Sequence, residues 1–133
     1  MITEKIKKVF FSMKNDLNDK MKKYDLTAVQ VLLLEFLHEN KENTIIQKDI
    51  CEHLMLKHST VINILKRFET KGLITKKTNY RSEISITEEG IKLIKSADIK
   101  TGFFENRLLK GFTKEEIDDL SNYLDRLYSN INN

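Results

Sequence analysis

From Lys57 to Leu73 the chain reads KHSTVINILKRFETKGL, and its apolar positions recur every three or four residues. Stepped at about 100° per residue, Val61, Ile64, Leu65 and Phe68 fall on one side of a helix. Ser59, Asn63, Lys66 and Thr70 fall on the other, with Arg67 at the edge, and none of these is acidic. Gly72 stands where a left-handed residue would close the last turn. Upstream, Ile2, Ile6, Val9, Phe10, Met13, Leu17 and Met21 keep helical spacing, so one long amphipathic helix is predicted from Ile2 to about Tyr24. Asp25-Leu26 breaks it. Thr27 and Gln30 then form a capping box for a helix from Ala28 to Glu39 that is apolar nearly all round, hence central and buried. A second possible box, Thr44 with Gln47, opens a third helix to about Leu54, with Ile50, Cys51 and Leu54 inward.

After Gly72 the period changes to two. Leu73 to Lys77 and Ser82 to Ile86 read as strands joined through Asn79, a natural turn residue, with Lys77, Tyr80 and Arg81 at the tip. Thr87 caps a further helix, its N-terminal dipole favoured by Glu88 and Glu89. Gly102 bends or ends that helix before Phe103-Phe104 and Leu108-Leu109. Thr113 to Glu116 is the best-formed capping box, and Ile117, Leu120, Leu124, Leu127 and Ile131 stripe the last helix. Two short helices with a tight turn, followed by a hairpin, make a winged helix-turn-helix. The fold class is therefore mainly α, α+β in detail, with about six helices and a small β-hairpin wing.

Charge sharpens this picture. The net charge of +3 is mild, but residues 54–81 hold seven basic residues (Lys57, Lys66, Arg67, Lys71, Lys76, Lys77, Arg81) against one acid, Glu69. Cations gathered on the helix-turn-helix and its hairpin are the footprint of a phosphate-contacting surface. The plainer alternative is a solvated basic face. One cysteine permits no internal disulfide, and no membrane span or secretory leader is legible, so a cytoplasmic protein is expected. There is no nucleophile elbow, phosphate loop or convergent carboxylate pair, which argues against an enzyme.

Several segments carry a family likeness: Leu26-Thr27, Ser59-Thr60-Val61, the Phe68 to Ile74 exit through Lys71-Gly72-Leu73, and Ile86-Thr87-Glu88-Glu89-Gly90. In this order they resemble the MarR family of winged-helix transcriptional regulators over essentially the whole chain, 1–133. The resemblance implies a winged core over residues 26–87 and dimerisation helices over 1–25 and 88–133. It also implies a homodimer with a recognition helix in the major groove and wing tips over the minor groove. Three positions depart from the family pattern. Lys57 replaces a small N-capping residue before the recognition helix, so the cap moves to Ser59 or is lost; Met55 replaces a turn glycine; and no Asp stands two residues before Arg81.

The expected DNA-binding residues are Ser59, Thr60, Asn63, Lys66, Arg67, Thr70, Lys77 and Arg81. Asn63 suits an adenine edge and Arg67 a guanine, while Lys66 and Thr70 could equally hold phosphate. Ile62 flanks the face, and Arg81 would read minor-groove width. Ile2, Ile6, Val9, Ile117, Leu120, Leu124, Leu127 and Ile131 exceed what a small winged core can cover and call for a partner, most simply a second copy on double-stranded DNA. Folding back on the same monomer is the alternative. No cofactor or metal is expected: Cys51, His53 and His58 fit no standard ligand spacing, and Cys51 reads as a packing residue rather than a redox sensor. An unknown small-molecule effector could bind near Phe10, Phe11, Met13, Phe103 and Phe104, although aromatics at helical spacing are more often core. A winged-helix protein-interaction module, or a regulator with weak DNA affinity, remains the alternative function.

Overall fold

The structure is a computed structural model that describes residues 1–78, 81–97 and 103–133. By internal packing the chain divides into two compact units, Met1–Lys100 and Thr101–Asn133.

In the first unit, α1 (Ile2–Met21) runs into a single 3-10 turn, Lys22–Tyr24, and the chain reverses at Asp25 in the left-handed region (φ 57°). Helix α2 (Ala28–Glu39) opens with the expected box. Thr27 Oγ1 accepts from the Gln30 N–H at 3.2 Å, and Gln30 Oε1 accepts from the Thr27 N–H at 3.1 Å. A third acceptor comes from α1: Asn18 Oδ1 takes the Ala28 N–H at 2.6 Å. Two helices thus share one corner, because the first N–H groups of α2 have no partner within their own helix. Val31, Leu33, Leu34 and Leu37 of α2 fill the core, against Ile50 of α3 (Gln47–Leu54) and Val61, Leu65 and Phe68 of α4 (His58–Thr70). Leu32 departs from the expectation of an all-round buried helix. It stands 46% exposed.

The second expected capping box does not form. The cap position of α3 is Ile46, and Asp49, three residues on, accepts its N–H at 3.0 Å. Thr44 is left outside because Ile45 is drawn into the sheet, where its carbonyl accepts from the Ile84 N–H at 2.8 Å. Between α3 and α4, Met55 takes the left-handed conformation (φ 54°) that a glycine would adopt without strain, and it is 71% exposed. Little packing would be lost on shortening it. Met55→Gly should therefore raise stability by about 0.5–1 kcal/mol, seen as a higher urea midpoint at unchanged slope.

The wing is shorter than its sequence pattern. Strands β1 (Ile74–Lys76) and β2 (Ile84–Ile86) pair antiparallel, with Thr75 opposite Ser85. The turn residues Asn79 and Tyr80 lie outside the described residues. Helix α5 (Glu88–Ser96) starts on Thr87, whose Oγ1 accepts from the Gly90 N–H at 3.1 Å and donates to the Gly72 carbonyl at 2.6 Å. The Thr87 N–H also reaches the Leu73 carbonyl at 3.0 Å. The exit of α4 and the entry of α5 are therefore two sides of one joint. Gly72, at φ 75°, makes the turn that allows it.

The second unit holds α6 (Phe103–Leu108), a turn through Gly111 (φ 86°) and α7 (Lys114–Asn132). The Thr113 box is formed in both directions: Thr113 Oγ1 accepts from the Glu116 N–H, and Glu116 Oε1 accepts from the Thr113 N–H. With α6 separate from α5, the described residues contain seven helices rather than about six. Gly102, the expected breaker, lies outside the described residues. No helix among those described is long and apolar enough to cross a membrane.

Candidate nucleic-acid interface

Helix α4 owes its orientation to its apolar side. Val61, Leu65 and Phe68 are buried and Ile64 half-buried, so the opposite side must face outward. Ser59, Thr60, Asn63, Lys66, Arg67 and Thr70 are all exposed, as the periodicity requires. They are not equivalent. The Thr70 hydroxyl donates back to the Lys66 carbonyl at 2.9 Å, which commits its proton to its own helix. Arg67 leans to one side. It lines an open cleft of about 510 Å³ together with Lys14, Asn18, Lys22 and Asp25, away from the row Ser59, Asn63, Lys66.

The start of α4 lacks a side-chain cap. Lys57 occupies the cap position in extended backbone and makes no capping hydrogen bond, and the cap does not move to Ser59, because the helix already begins at His58. The unsatisfied N–H groups and the positive end of the helix dipole lie beside a cation, an arrangement that costs stability and attracts anions. Lys57→Ser should supply the missing acceptor and stabilise the fold by about 1 kcal/mol, measured by urea unfolding.

On the wing, Lys77 and Arg81 are both exposed. Lys77 is held by Glu83: Nζ lies 3.0 Å from the carboxylate, and the Lys77 N–H donates to the Glu83 carbonyl at 2.9 Å. Glu83, just before β2, is thus the acid that pairs on the wing, and its partner is Lys77. Continuing the strand register outward by one pair would have found it.

Cys51 is buried, with Sγ 3.5 Å from His58 Nδ1, which Gln47 Nε2 also approaches at 3.2 Å. His53 points elsewhere and stacks on Phe36, ring centroids 4.3 Å apart. Among the described residues no three His, Cys, Asp or Glu side chains are grouped to hold a metal. Phe10 and Phe11 meet edge to face at 5.6 Å and are exposed, and neither lines the cleft. The side chains of Phe103 and Phe104 lie outside the described residues.

One contact had no sequence signal. Lys71 Nζ donates to Asp25 Oδ2 at 3.0 Å across 46 positions of chain. The hydrogen bond from Lys71, then the charges of Lys71 and Arg67, hold the Asp25 carboxyl below the usual carboxylate range. What this pair adds to stability is present above the ordinary carboxylate pKa and is lost as pH falls through the lowered one.

A sequence model of the MarR family matches residues 24–82. The organic hydroperoxide resistance transcriptional regulator of Bacillus subtilis is 33% identical over 111 residues, spanning 80% of this chain and 71% of that protein. The HTH-type transcriptional repressor IacR of Pseudomonas putida is 28% identical over 115 residues, 84% of this chain and 68% of that one. The crystal structure of the S. aureus MepR–DNA complex matches with a TM-score of 0.90 at 25% identity, covering 98% of this chain and 96% of that chain. A family match centred on the helix-turn-helix, and likeness to transcription regulators along most of the chain, leave one conclusion: it is a winged-helix transcriptional regulator of the MarR family.

Proposed function

We propose that the protein acts as a homodimer, binds a pseudo-palindromic operator in double-stranded DNA, and represses transcription from it in the cytoplasm. The observation that carries this reading is the outward row Ser59, Asn63 and Lys66 on a helix whose other side is locked into the core. A row of donors and acceptors without an acid suits the major groove, whose base edges offer the complementary pattern. Asn63 is the base reader, Lys66 and the N-terminal end of α4 at Lys57 hold phosphate, and Arg81 enters the minor groove. Arg67 and Lys77 already have carboxylates beside them, and they contribute charge more than letters.

The dimer is supported by what each unit leaves uncovered. Ile2, Ile6 and Val9 are exposed on α1, and Leu120, Leu124, Leu127 and Ile131 on α7. Exposed apolar rows of this length, one on each unit, mark surfaces that take a partner. A repressor is favoured by kinship with IacR, which carries that description, and DNA binding by the MepR complex.

Binding of a labelled duplex by the full chain, followed by fluorescence anisotropy across salt concentrations, tests the reading. Affinity should fall steeply with salt. Arg81→Ala should weaken binding about tenfold on the preferred duplex and make the salt slope shallower. Salt-insensitive binding, or an Arg81→Ala protein that binds as before, would contradict it.

A further inference from the structure

The ion pair of Asp25 with Lys71 joins two places that the chain reaches separately: the corner where α1 gives way to α2, and the exit of α4. The corner is stiff. The Asp25 N–H donates to the Lys22 carbonyl at 3.0 Å, the Leu26 N–H to the Met21 carbonyl at 3.3 Å, and Asn18 of α1 holds the first N–H of α2. The helix exit is equally defined, since the Lys71 N–H still bonds to the Arg67 carbonyl at 3.1 Å. The Lys71 ammonium therefore follows the last turn of α4, and the Asp25 carboxylate follows the end of α1. Arg67, one turn back, lines the same cleft as Asp25 and adds a second cation to it.

We propose that Asp25 is a positioning residue for DNA binding, clasping the end of the recognition helix to the end of the arm helix α1. This rests on the homodimeric reading above. In a dimer whose apolar arms join the copies, the orientation of α4 relative to α1 sets how far apart the two recognition helices stand. Two half-sites on one face of the duplex require about 34 Å between them. A flexible exit to α4 would let each helix find its own half-site, yet would charge the pair an ordering cost when both must bind together. The clasp removes part of that cost in advance. The contact is a single ion pair on an exposed carboxylate, with the Arg67 charge adding to it from the same cleft, so its effect on binding is modest.

Asp25→Asn is the informative variant, because asparagine tolerates the left-handed backbone and keeps the shape while losing the charge. Two duplexes are compared at several salt concentrations: the one the wild-type protein selects from a random library, and the same duplex with one half-site scrambled. Asp25→Asn should bind the two-half-site duplex about fivefold more weakly and the single half-site as well as wild type does, with an unchanged salt slope. Combining it with Lys71→Gln should cost no more than the weaker-binding single variant, because both remove one contact. Equal loss on both duplexes, no loss on either, or tighter binding with a steeper salt slope would each overturn the clasp. Failure of the wild-type protein to bind any duplex would instead remove the DNA-binding reading, and the clasp's role with it.

Discussion

Replacing Gly90 with alanine is expected to destabilise the protein by about 3 kcal/mol, near the upper end of what overpacking costs. A Cβ built at Gly90 would lie 2.5 Å from the Leu73 carbonyl oxygen and 2.6 Å from Ile86 Cγ1. The first of these is backbone and cannot rotate away. It is also the oxygen that accepts the Thr87 N–H, so α5 would have to retreat from the joint that anchors it. Retreat loosens Thr87 from the Gly72 carbonyl and uncovers Ile94 and Ala97, which are buried in the same core as Leu73. Gly72→Ala is the useful contrast. Nothing lies within 4 Å of a Cβ there, so only the strain of φ 75° is felt, about 1 kcal/mol. Urea unfolding of the two variants should separate them clearly, with Gly90→Ala the less stable.

Asn63→Ala is expected to cost about 1–3 kcal/mol on the preferred duplex, up to a hundredfold in affinity, and almost nothing on unrelated DNA. The side chain sits in the middle of the outward row of α4, one turn from Ser59 and just short of one from Lys66, on the side opposite Leu65 and Phe68. A carboxamide there offers a donor and an acceptor side by side, which matches the N6 and N7 edge of adenine. Loss of that pair should relax preference at one base position and leave the salt slope unchanged. Lys66→Ala should do the reverse, with a shallower slope and the same preference. The pair of variants distinguishes base reading from phosphate holding.

Much of this was legible in the residues alone. The period of α4, the boxes at Thr27 and Thr113, the Thr87 cap and the turn at Gly72 depend on local chemistry, which a short stretch of sequence carries in full. The failures share a cause, in that tertiary partners decided them. Thr44 and Gln47 have the form of a box, yet Ile45 pairs with Ile84, almost forty residues on, and the helix takes its cap from Asp49 instead. Leu32 lies in an unbroken apolar run, and only the packing of the finished core shows that its side is left open. Arg67 sat at the edge of the recognition face on a helical wheel. It lines a cleft with Asp25, whose position depends on the whole α1–α2 corner. The exposed residues of the interface were named correctly as exposed because burial of Val61, Leu65 and Phe68 fixes the rotation of α4. Their division of labour on DNA rests on contacts that no periodicity contains.

Selection of duplexes from a random library by the full chain, at near-physiological salt, tests the central claim most directly. The expected result is enrichment of two inverted half-sites with centres about 10 base pairs apart, the spacing at which paired recognition helices meet one face of the duplex. Enrichment of a single unpaired site, or recovery of no sequence above background, would contradict it.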